Sequence, residues 1–201
     1  MTTPPRTRSA GRRDGAETRA LVRRTALRLF TEQGYEATSL RQIADELGIN
    51  KASLYYYFDS KEAILQSLYE ERGDEAEALL TWLREQPRSA TLLEAAVLRW
   101  VDSFTGEKLH GIRFMSANPL IARTLTAKPG GERIGASLSH FADELTALLP
   151  DPSPRNVVLL RMAILSVNAA VQAAPPTDTD DEAVIAAAQL AARALLSEIT
   201  K

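Results

Sequence analysis

Residues 39–58 read SLRQIADELGINKASLYYYF, and this stretch decides the fold. Ser39 and Gln42 stand at capping-box spacing, where a hydroxyl and an amide side chain each satisfy an orphan backbone donor at a helix start. Leu40, Ile43, Ala44 and Leu47 then recur at three- and four-residue steps, the apolar face of a short helix. Gly48 stops it. After Ile49, the short polar side chain of Asn50 is placed to cap another helix, predicted from Lys51 to Tyr57 or Phe58. Two short helices around a tight glycine-containing turn make a helix-turn-helix, whose second helix is the one that enters a DNA major groove.

Working outward toward the N-terminus, Leu21, Val22, Ala26, Leu29 and Phe30 mark the apolar face of a helix from about residue 16 to a C-cap near Gly34. Residues 1–15 hold Thr, Pro, Gly, Ser and Arg with almost nothing apolar, and are expected to be a flexible basic arm. On the other side, Asp59, Ser60, Lys61 and Glu62 open a long helix. Its stripe of Ile64, Leu65, Leu68, Tyr69, Ala76, Leu79, Leu80 and Leu83 continues to about Gln86. At 1.5 Å per residue it reaches roughly 35 Å, enough to connect a small domain to the body of a second. Further helices are predicted over 89–105, 107–115, 118–127, 131–149, 154–174 and 182–199, separated by Gly and Pro breaks, and no strand pattern competes. The fold class is therefore all-α: a three-helix helix-turn-helix domain over 16–61, joined by a long helix to a C-terminal helical domain over 62–201.

A chain of 201 residues that is 45% hydrophobic and 25% charged has the composition of an ordinary globular protein. It contains no cysteine, which excludes disulfides, thiolate metal sites and a cysteine nucleophile. Arg6, Arg8, Arg12 and Arg13 are not followed by an apolar stretch of signal-peptide length, and the most apolar run, Val157 to Leu160, is stopped by Arg161. The expectation is a cytoplasmic protein with no membrane partner. Net charge is uneven: residues 1–61 carry 11 basic and 7 acidic residues, net +4, while 62–201 carry 13 and 19, net −6. The N-terminal end thus prefers polyanions.

No catalytic pattern accompanies this. His110 and His140 lie 30 residues apart without metalloprotease spacing, and the GGERIG stretch at 130–135 has neither dinucleotide nor phosphate-loop spacing. An enzyme is not expected, and neither a cofactor nor a metal site is predicted. The alternative to DNA binding is a helical module that binds another protein through the same surface.

With these helices placed, residues 17–65 resemble the DNA-binding domain of the TetR family of bacterial regulators. The resemblance rests on ALRLF at 26–30, GYEATS at 34–39, Ile43 with Ala44, LGI at 47–49, SLYYYF at 53–58 and SKE at 60–62. It covers about a quarter of the chain. One departure is Tyr57, where the family often has histidine. Tyr55, Tyr56 and Tyr57 step by about 100° around a helix, so at least one must face outward, and packing is the competing use for the others. The resemblance implies that Tyr56 and Tyr57 reach the DNA backbone while Lys51, Ser53 and Tyr55 lie toward the groove.

Thr38 or Ser39 would set a hydroxyl and backbone N–H groups against a phosphate, the hydroxyl hydrogen staying free while the oxygen caps the helix. Arg41 is a groove or phosphate candidate, and Lys61 resembles a family phosphate clamp. The four arginines of the arm fit a minor groove and equally a solvated tail.

The same resemblance makes the C-terminal domain one for ligand binding and dimerisation, and implies a repressor released from a palindromic operator by a small-molecule effector. The expected dimer helices are 131–149 and 154–174, with 182–199 competing for the role. Candidate effector contacts are Trp100, Phe104, His110, Phe114 and Met115, near Leu120 and Ile121, with Asn168 and Gln172 as polar orienting groups; an ordinary filled core is the other reading of the apolar ones.

Overall fold

A computed structural model describes residues 15–89, 91–126, 132–174 and 180–199. The arm with Arg6, Arg8, Arg12 and Arg13, and the breaks at 129–131 and 175–179, lie outside the described residues. Two compact units divide between Asp59 and Ser60.

The first unit holds α1 (Gly15–Gln33), α2 (Leu40–Leu47) and α3 (Lys51–Tyr57). Each boundary has a local cause. Gly34 follows α1 with φ 92°, a left-handed conformation that glycine adopts without strain. Ser39 caps α2 with both halves of the predicted capping box formed. Gly48, at φ 64°, ends α2 in a paired closure: its N–H reaches the Asp45 carbonyl at 3.1 Å, and the Ile49 N–H reaches that of Ala44 at 3.0 Å. Asn50 then accepts from the Ser53 N–H at 2.7 Å and starts α3. Val22, Ala26, Leu29 and Phe30 of α1, Ile43 and Ala44 of α2, Leu54 of α3 and the closing Phe58 are all buried. Tyr35 joins them, its ring edge-on to Phe30 at 4.9 Å.

The second unit holds α4 (Lys61–Glu85), α5 (Leu92–Asp102), α6 (Gly106–Ala117), α7 (Pro119–Thr126), α8 (Glu132–Thr146), α9 (Pro154–Ile164), α10 (Ser166–Ala173) and α11 (Asp181–Ile199). Helix α4 packs along α8, while α11 packs on α5, α9 and α10. On α11 the buried Val184, Ala188, Ala192, Leu196 and Ile199 recur every three or four residues, and the small Ala188 and Ala192 at its middle allow close approach of neighbouring helices. The core gathers around Trp100, Val101, Phe141, Leu145, Leu160 and Ile164.

The helix predicted over 154–174 is in fact two, α9 and α10, bent by 60° at Leu165. At this bend a residue distant in sequence meets the helix: the buried Trp100 indole Nε1–H donates to the Ile164 carbonyl at 3.2 Å, the kind of side-chain insertion that accompanies sharp kinks. Among the described residues, no single helix is long and apolar enough to cross a membrane.

Candidate nucleic-acid interface

The seven residues of α3 divide sharply by environment. Leu54 is fully buried and anchors the helix, with Phe58 closing it behind. Tyr56 is 84% exposed and Tyr55 44% exposed, although burying an aromatic ring is worth a few kcal/mol. Lys51 and Ala52 are exposed beside them, Ser53 and Tyr57 half-buried. The Lys51 ammonium lies 5.3 Å from the centre of the Tyr55 ring, and Tyr56 and Tyr57 meet edge to face at 5.2 Å. The outward side of α3 thus offers one cation, two accessible phenol hydroxyls and flat rings, a set able to donate to phosphate oxygens and to base edges.

Arg19, which the sequence pattern did not single out, holds the far end of this helix. Its Nη1 donates to the Tyr57 carbonyl at 3.1 Å, and its guanidinium sits 4.4 Å from the centre of the Phe58 ring. A positive group at the C-terminal end of α3 complements the helix dipole. No local signal marks Arg19, because its partners lie 38 and 39 residues away.

Helix α2 offers less than expected. Thr38 is 1% exposed, and its hydroxyl donates inward to the Gly34 carbonyl at 2.8 Å, so the candidate phosphate contact there is corrected to an internal brace. Ser39 remains exposed, but its hydroxyl both accepts from the Gln42 N–H and donates to Gln42 Oε1 at 2.8 Å. The hydroxyl hydrogen expected to be free is therefore engaged. Arg41 is 80% exposed, with only a loose 3.7 Å approach to Asp45. Lys61 belongs to the second unit, where it is the half-exposed first residue of α4.

The candidate effector residues scatter within the second unit. Trp100, Phe104 and Phe114 are buried, and the first two meet edge to face at 5.5 Å. Met115, Ile121 and Asn168 are half-buried, whereas His110, Leu120 and Gln172 face solvent. A cavity of about 650 Å³ lies elsewhere, lined by Leu93, Leu148, Asp151, Arg155, Asn156 and Glu198 among others, and includes none of the candidates.

A helix-turn-helix with an outward aromatic and cationic face, in a chain whose second unit is also all-helical, defines a helical protein of the helix-turn-helix class. Residues 22–68 match the profile described as bacterial regulatory proteins, tetR family. Over 52 residues the chain is 48% identical to the uncharacterized HTH-type transcriptional regulator YuxN of Bacillus subtilis (strain 168), covering 26% of this chain and 18% of that protein. Over 41 residues it is 54% identical to the biofilm operon icaADBC HTH-type negative transcriptional regulator IcaR of Staphylococcus aureus (strain Newman), covering 20% and 22%. These matches span about a fifth of the length of the curated relatives.

Similarity of fold extends over nearly the whole chain. The ketosteroid transcriptional regulator KstR2 of Mycobacterium tuberculosis superposes with a TM-score of 0.65 at 19% identity, covering 96% of each chain. Mycobacterium smegmatis AmtR gives 0.61 at 26% identity, covering 92% of this chain and 89% of the other. Residues 22–68 thus carry the helix-turn-helix domain of the tetR family of bacterial regulatory proteins.

Proposed function

We propose that this protein is a sequence-specific DNA-binding repressor that acts as a homodimer on a palindromic operator and is released by a small-molecule effector. The observation that carries the reading is the outward face of α3, where Tyr55 and Tyr56 stand in solvent beside Lys51 while Leu54 and Phe58 hold the helix in place. Exposed rings on a rigid, doubly capped helix suit a groove better than a core. Lys51, Ser53 and Tyr55 point the reading toward bases, and Tyr56, Tyr57 and Arg41 toward phosphates. The match to IcaR, a negative regulator by name, supports repression over activation.

Dimerisation finds support in a different surface. Val158 and Met162 of α9 and Leu165 just after it are 44–55% exposed and recur at four- and three-residue steps, and on α11, which packs against α9, Leu190 is 72% exposed. A pair of helices that leaves an apolar stripe in water suits a second copy of itself in a four-helix arrangement. This favours α9 with α11 over the expected pairing of 131–149 with 154–174, since the exposed side of α8 carries Ser139, His140 and Asp143. In the dimer, an effector that prefers a shape with wrongly spaced α3 helices releases half-sites about 34 Å apart, a coupling on the order of 1–3 kcal/mol.

The test is recovery of bound fragments from sheared genomic DNA of the source organism, followed by fluorescence anisotropy against salt, with Tyr56→Ala in parallel. One palindromic fragment bound tightly, steeply weakened by salt and lost in the variant, is the expected result. No enriched fragment, with the variant behaving as the parent, overturns DNA binding in favour of a protein-interaction module.

A further inference from the structure

Arg72 of α4 carries its charge into the second unit, with its side chain only 12% exposed. The guanidinium lies 4.1 Å from the centre of the Trp100 ring and 4.0 Å from that of Phe104. Its Nη1 pairs with Glu75 and donates to the Ser103 hydroxyl at 3.3 Å. Lys108 shares the same carboxylate, its Nζ 2.6 Å from Glu75 Oε1, so Glu75 answers two cations. The Nη2 of Arg72 is buried and has no hydrogen-bond partner among the described residues. Burial draws the guanidinium below its ordinary pKa, against the opposing pull of Glu75 and, more weakly, Glu71. A second orphan lies near the carbonyl bonded by the same indole: the Ser166 hydroxyl, buried and without a partner among the described residues, is two residues beyond Ile164.

Buried polar groups are nearly always hydrogen-bonded, and a buried guanidinium donor without an acceptor costs more than a neutral one. A neutral acceptor would fill the hydrogen bond and leave the charge poorly compensated, whereas a carboxylate answers both. The rings of Trp100 and Phe104 against it, with Phe141 beside Trp100, suit an apolar body. We infer that Arg72, stacked on Trp100 and Phe104, receives the carboxylate of a small organic acid with an apolar body, and that such an acid is the effector. This rests on the repressor reading above for the word effector, and on the second unit alone for the site.

The experiment titrates the full chain with benzoate, phenylacetate and octanoate, and with the three corresponding uncharged amides. Emission is followed in a Trp82→Phe background, so that Trp100 is the sole reporter of the two tryptophans. At least one acid is expected to give a saturable change, at least tenfold weaker with its amide and at least tenfold weaker in Arg72→Lys, which keeps the charge and loses the planar fork. Circular dichroism checks that the variant is folded, and the acid-against-amide comparison needs no variant at Arg72. No saturable change with any acid, an equal response to the amide, or an undiminished response in folded Arg72→Lys overturns the inference and leaves Nη2 to a buried water. The acid that binds is then added to the operator complex. Operator binding without any acid response removes this inference alone, while acid binding in a protein that recovers no DNA removes the repressor reading and leaves the acid site standing.

Discussion

At the scale of single residues, adjacent positions on α3 carry opposite duties. Leu54 is fully buried and Tyr56 is 84% exposed, two residues apart. Tyr56→Ala is expected to change stability by no more than about 0.5 kcal/mol and to weaken operator binding at least tenfold, read by thermal unfolding and anisotropy on the same sample. Leu54→Ala is expected to cost about 2–5 kcal/mol, because it leaves a cavity where no solvent can enter. The helical period already required one of the three tyrosines to face outward. Which of Thr38 and Ser39 faced outward was not legible, since both are small hydroxyl residues at a helix start. The carbonyls of Gly34 and Leu29 turned Thr38 inward.

At the scale of elements, the turn between α2 and α3 depends on two residues with different physics. A Cβ added at Gly48 meets nothing within 4 Å, so the cost of Gly48→Ala is the left-handed backbone alone, about 1 kcal/mol. Asn50→Ala removes the acceptor for the Ser53 N–H and is expected to cost about 1 kcal/mol. Chemical denaturation checks both, and the two should add unless the turn rearranges as a unit. Asn50→Ala is also expected to weaken operator binding more than Gly48→Ala, because it frays the first turn of α3 where Lys51 and Ser53 sit. These caps were legible because each joins atoms within three or four residues. The break at Leu165 was not: the indole that bonds the carbonyl beside it belongs to Trp100, 64 residues away.

At the scale of the whole molecule, the exposed apolar residues of α9, with Leu190 on the α11 that packs against it, predict the assembly. Met162→Glu places a charge in that stripe, at a position already half in water, so the monomer should fold as before. It is expected to shift the protein from dimer to monomer in light scattering at micromolar concentration, and to lower operator affinity with it, since one recognition helix contacts only a half-site. An unchanged dimer would move the interface elsewhere, with the 131–149 helix the next surface to test.

What the sequence by itself determined is the helical segments apart from the break within 154–174, the caps and turn of the first unit, and the helix-turn-helix between Ser39 and Phe58. These follow from interactions between near neighbours along the chain, which spacing and residue type express directly. The tertiary structure alone decided the inward turn of Thr38, the bend at Leu165, the pairing of α9 with α11 that leaves Val158, Met162 and Leu190 uncovered, and the burial of Arg72 against Trp100 and Phe104. Most of these join residues tens of positions apart; Thr38 is the exception, held by the Gly34 carbonyl four residues away at 2.8 Å and by that of Leu29 nine away at 3.3 Å. Which partner a side chain meets over such distances is set by how helices pack, and packing leaves no period in the sequence to read.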